Sequence, residues 1–98
     1  MTLSVVFRPQ AEDEVNAARQ WYEAHKTALG AKFADALDDV VSRIAANPSA
    51  FPLVHGEIRR AVMRQFPYGL YFRIHIQTIV VIAVTHGRRH PSQWQSRV

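Results

Sequence analysis

Residues 70–85 leave the chain little choice of structure. Leu70, Phe72, Ile74 and Ile76 alternate with Tyr71, Arg73 and His75, and only Gln77-Thr78 separates them from the apolar run Ile79 to Val84. Alternation is the period of a strand with one buried face, and a two-residue break is the length of a tight hairpin turn. The spacing therefore predicts strands over residues 70–76 and 79–85, with Ile76 opposite Ile79. Residues 58–65 read as a further strand, and Phe66-Pro67-Tyr68-Gly69 as the turn that joins it to the hairpin. The result is a three-stranded meander.

Its two faces differ in chemistry. Leu70, Phe72, Ile74, Ile76, Ile79, Val81 and Ala83 share one face, while Tyr71, Arg73, His75, Val80, Ile82 and Val84 share the other. Carrying the register across the turn adds Arg60, Val62 and Arg64 to the second face. A surface that mixes arginines with bare Val and Ile predicts a cover, whether a partner, a second subunit or a chain end.

The first half supplies the cover for the other face. Leu3, Val5 and Phe7 alternate as a short opening strand that Pro9 ends. Ala11, Val15, Ala18 and Tyr22 then fall at helical spacing, with Trp21 beside them and Glu12, Asp13 and Glu14 in the first turn, where they complement the helix dipole. This predicts a helix over residues 9–25. A turn over residues 26–30 leads to a second stripe, Phe33, Leu37, Val40, Val41 and Ile44, which Asn47-Pro48 stops. The expected fold is α+β: an N-terminal strand and a two-helix hairpin on one face of a mainly antiparallel, four-stranded sheet. The 98 residues suffice for a single domain, residues 1–98.

Charge is unevenly spread. Residues 1–50 carry five Lys/Arg against seven Asp/Glu, whereas residues 51–98 carry seven Arg against Glu57 alone. Positive potential concentrated on one half suits either solubility or an acidic partner. Ten of the 12 basic residues are Arg, whose forked donors fit phosphate and carboxylate. The tail from His86 to Val98 is basic and aromatic and reads as a loop and terminal extension.

Several chemistries find no support. With no cysteine there is no disulfide, thiolate nucleophile or Cys-ligated metal, which fits a reducing cytoplasm. Among five histidines only His86 and His90 stand close together, and Gly87 and Pro91 keep them off a helix, so no metal is expected. The four glycines stand singly, which leaves no phosphate loop and no nucleotide cofactor. The longest apolar run is far below the ~20 residues of a membrane span, and Arg8 interrupts the opening apolar stretch before it can act as an export signal. The chain is expected to stay in the cytoplasm, away from membranes. Glu57, His86 and the arginines are the right types for phosphodiester cleavage, but each has a plain structural role open to it: a cap, a local ion pair, a solvated face.

Taken in order, the opening strand, the Ala11-Glu12-Asp13-Glu14 helix start, Trp21-Tyr22, Gly30 with Phe33, Asn47-Pro48 with Phe51-Pro52, Arg59-Arg60, Phe66-Pro67-Tyr68, and Val84-Thr85-His86-Gly87-Arg88-Arg89 with Trp94 and Arg97 resemble the ParE/RelE superfamily of bacterial toxins, the ParE branch most closely. The resemblance implies the toxin of a type II toxin-antitoxin module, paired in a hetero-oligomer with a cognate antitoxin. RelE-like members cleave mRNA on the ribosome; ParE-like members poison DNA gyrase without being nucleases. After His86 this chain has no tyrosine, unlike the tyrosine-bearing nuclease tails, and it follows the His-Gly-Arg-Arg pattern of ParE-like chains. Gyrase is therefore the expected target, with ribosome-bound mRNA or a non-toxic basic binding module as alternatives. The resemblance points to Arg60, His86, Arg88, Arg89, Trp94 and Arg97 as the target-binding surface, to which the register of the second face adds Arg64, Tyr71 and Arg73. Val80, Ile82 and Val84, with Arg60 and Arg64, are the expected antitoxin contacts. No catalytic residue is assigned with the gyrase reading; for cleavage the set is Glu57 as base, Arg73 on the phosphate and His86 as acid.

Overall fold

Pro9 decides how the chain starts. Strand β1 (Ser4–Phe7) runs parallel to β5 (Thr78–His86), with Ser4 opposite Thr78 and Phe7 opposite Val81. Arg8 N–H donates to the Val81 carbonyl at 2.9 Å, after which Pro9, whose fixed φ suits a first helical turn, leads the chain into α1 (Pro9–His25). The computed structural model describes residues 3–87 and 91–97.

Helix α2 (Thr27–Ala46) follows after Lys26 alone, held extended at φ −157°, so the expected five-residue turn shrinks to one residue. Gly30 consequently lies inside α2 facing α1, where a Cβ would collide with the Glu23 side chain. Its bareness lets the two helices approach closely. The helix stops at Asn47, ahead of a single 3-10 turn (Pro48–Ala50).

The sheet has five strands, ordered β1-β5-β4-β3-β2, instead of four. The additional strand, β2 (Leu53–His55), is three residues long with all three exposed, too short to show a period. Strand β3 spans Ile58–Val62, shorter than expected, and β4 spans Tyr68–His75. Phe33, Val40 and Ile44 of α2 and Ala11 and Ala18 of α1 pack on Ala61, Leu70, Phe72, Ile79, Val81 and Val84. Burying side chains of this size contributes about 1.5–3 kcal/mol each for Val, Leu, Ile and Phe.

The β4–β5 hairpin turns on Ile76-Gln77, not Gln77-Thr78: His75 pairs with Thr78 and Ile74 with Ile79. A one-residue shift of the turn moves the register by two and leaves the faces unchanged. Ile76 leaves the expected core face for the turn itself, 85% exposed with φ +58°. A bulge then changes the faces. Phe72 pairs with Val81 and Tyr71 with Ala83, which leaves Ile82 as the extra residue in β5. Beyond it the alternation is inverted, so Val84 joins the helix-side core and Ala83 joins Ile82 on the opposite side. Both residues thus lie on the opposite face from the one their spacing predicted.

The second face is closed by the chain's own end. Helix α3 (Ser92–Gln95), in a tail expected to be irregular, seats Trp94 at 4% exposure on Ile58, Tyr71, Ile82 and Ala83. The Trp94 and Tyr71 rings stack at 4.3 Å between centroids, with His55 edge-on to Trp94 at 5.7 Å.

Candidate functional site

The open part of the second face is a basic strip around the Trp94 footprint. Arg60 pairs with Tyr71, and Arg73 with Val80, which pairs on its other side with Val6. Arg60 is exposed and lies over Gly69, where its Cγ would be 3.5 Å from an added Cβ. Arg73 is half-buried, and its Nε is buried with no hydrogen-bond partner among the described residues. His75 is exposed two residues along β4, and His55 is exposed on β2. A guanidinium donor without an acceptor retains its full capacity for an anionic group.

Other expected members of this surface are elsewhere. Arg64 follows the end of β3 and turns to the helix side, 3.5 Å from Asp39 of α2. Arg97 is engaged inside the molecule, and Trp94 is core, not a free stacking platform. Ile82 and Val84 are buried and Val80 is half-buried, so the expected apolar antitoxin row is already covered: Ile82 lies in the Trp94 cluster and Val84 under the helices. Arg88 and Arg89 lie outside the described residues.

The tail is held by a contact the sequence reading missed. Arg97 Nη1 and Nη2 donate to Glu14 Oε1 and Oε2 at 2.9 and 3.1 Å. Arg97 Nη1 also donates to the Ile82 carbonyl at 3.2 Å, and Val84 N–H donates to Glu14 Oε1 at 3.0 Å. Strand β1 ends opposite Val81, so these are edge groups of β5 that no further strand pairs. The ion pair satisfies them in a strand's place. Arg8 Nη1 adds a bond to the Arg97 carbonyl at 3.0 Å. No spacing argument links positions so far apart in the sequence.

The proposed acid–base set is dispersed. Glu57 is exposed in the β2–β3 turn. His86 pairs with Tyr68 across the far end of the sheet, while Arg73 pairs with Val80, six residues back along β5. At ~3.3 Å per residue the separation is about 20 Å. The bulge also puts His86 on the helix side, against the Tyr68 ring at 5.4 Å, whereas Arg73 is on the opposite face. One phosphodiester does not reach both.

His86 instead lines a groove of about 770 Å³ between α1 and the ends of β4 and β5, together with Asp13, Ala17, Trp21, Tyr22 and Tyr68. Burial, with Tyr68 beside it, pushes the Tyr22 phenol above its ordinary value of 10.0 and keeps it a neutral donor. Trp21-Tyr22 was legible as an aromatic pair, but the groove needs Tyr68 and His86 from distant strands. Among the described residues no three His, Asp or Glu side chains gather as a metal site, and no helix is long and apolar enough to cross a membrane.

The fold has solved counterparts. The chain is similar to a chain of the chromosomal ParDE toxin-antitoxin system of P. aeruginosa, at 19% identity and TM-score 0.66, covering 87% of this chain and 96% of that one. It is similar also to a chain of the RelBE2 toxin-antitoxin complex of Mycobacterium tuberculosis, at 18% identity and TM-score 0.62, covering 88% and 99%. No curated protein matches its sequence. The family model for the ParE toxin of the type II toxin-antitoxin system, parDE, matches residues 5–91, and with that span of matching sequence on a fold shared with both complexes, the chain belongs to the ParE toxin family.

Proposed function

We propose that this toxin is neutralised by a cognate antitoxin and that it acts by binding a protein target, DNA gyrase, not by cutting RNA. The observation that carries the choice is the dispersal of Glu57, Arg73 and His86 over two faces and both ends of the sheet. General acid–base cleavage needs its groups within hydrogen-bond reach of one phosphate, and a protein-binding poison has no such requirement. Arg60, exposed, and Arg73, half-buried, are the contacts proposed on the sheet; Arg88 and Arg89 are proposed on the sequence pattern alone.

Antitoxin binding to the second face has its charged contact in Arg60 and its apolar contact in Val80, since Ile82 and Val84 are covered. Two assays test the reading. Purified chain inhibits supercoiling by gyrase and leaves mRNA intact on translating ribosomes; codon-positioned cuts that disappear in Arg73→Ala or His86→Ala would reverse it. Co-expression with the neighbouring open reading frames tests the antitoxin, which binds the chain and relieves its growth effect.

A further inference from the structure

The groove beneath α1 has a chemistry opposite to that of the basic strip. Asp13, Ala17 and Trp21 are spaced by four along one line of α1, about 12 Å from first to last at 1.5 Å per residue. Trp21 and Ala17 line the same groove. Ala17 and Ala18 leave the space that larger residues would fill. Trp21 is 56% exposed yet held in place: its ring stacks on His25 at 3.9 Å and meets Tyr22 edge-on at 5.1 Å. His25 Nδ1 is in turn bonded to the Trp21 carbonyl at 2.8 Å. At the other end Asp13 is exposed and makes no hydrogen bond or ion pair among the described residues. Glu14 beside it is already neutralised by Arg97.

A fixed aromatic face, a small-residue floor and an unpaired carboxylate in one line match a cation on an apolar stem. An anionic ligand would be repelled by Asp13, and a purely apolar one would desolvate that carboxylate without replacing its water. We propose that this groove seats an arginine or lysine side chain of a partner protein, its stem along Ala17 and its cationic head between Asp13 and Trp21. The site is independent of the toxin reading and of the basic strip, and a partner engaging both surfaces carries residues of both charges.

The chain has two tryptophans, so a nitrogen-15 labelled sample gives two indole N–H signals, with buried Trp94 as an internal control; Trp21→Phe assigns them. Titration with Nα-acetyl-arginine amide moves the Trp21 signal saturably and leaves that of Trp94 still. In Asp13→Asn, a surface change that keeps the fold, the apparent affinity falls about threefold to fivefold, as for an exposed ion pair, while Asp38→Asn, the same change at an exposed position of α2, binds as the unmodified chain does. The proposal is overturned by an equal response in Asp13→Asn, or by a response to guanosine monophosphate with none to the amide. A Trp21 signal that moves on dilution without any ligand means that a second copy fills the groove, and overturns it as well. No antitoxin or gyrase is present in the experiment, so its failure leaves the toxin reading unaffected.

Discussion

Arg97 and Glu14 are 83 residues apart in sequence and meet through two parallel hydrogen bonds, 2.9 and 3.1 Å long, at the unpaired edge of β5. Both side chains are mostly buried, so removing one partner leaves a desolvated charge and an unsatisfied strand edge. Arg97→Ala is expected to lower stability by about 2 kcal/mol. Urea unfolding of Arg97→Ala, Glu14→Gln and the double variant measures the coupling, and a double variant as destabilised as the sum of the two singles would refute the pairing.

Trp94→Ala should be costlier. The indole fills the second core against Tyr71, Ile82 and Ala83, and truncating a buried aromatic costs about 3 kcal/mol or more. Deleting the residues after Arg89 removes Trp94 and Arg97 together and is therefore expected to damage the fold itself. Trp94→Phe keeps most of the packing and is the better probe: thermal unfolding should show under half the loss seen for alanine.

Ile76 is a branched residue at φ +58° with its side chain in water. A left-handed conformation costs an L residue about 1–2 kcal/mol, and glycine suits the first position of a two-residue hairpin turn with positive φ there. Ile76→Gly should raise stability by about 1 kcal/mol, a gain readable as a higher urea midpoint at unchanged m-value.

Tyr22 gives a pH dependence. Its phenol holds a proton more tightly folded than unfolded, so its contribution is complete below the ordinary value of 10.0 and is lost as pH rises through the raised folded value. Stability should fall above pH 10, and less so in Tyr22→Phe. Phenolate absorbance locates the transition, and equal pH profiles for the two proteins would remove Tyr22 as the cause.

Periodicity determined which elements form, and which face each residue takes as far as the bulge at Ile82. The span of α1 from Pro9 to His25, the stop of α2 before Pro48 and the β4–β5 hairpin all follow from side-chain spacing and from proline, which act within a few residues. The same spacing gave Arg60, Tyr71 and Arg73 a common face. Tertiary structure decided the rest, because it depended on contacts that spacing does not encode. One extra residue at Ile82 inverted the alternation, burying Val84 under the helices and carrying His86 away from Arg73. Strand β2 forms by pairing with β3, with too few residues to announce itself. The tail acquired its place from Trp94 on Tyr71 and Arg97 on Glu14, which satisfied an apolar face and a strand edge left open by the local pattern. Local rules say which groups need partners; only the folded chain brings distant partners within reach.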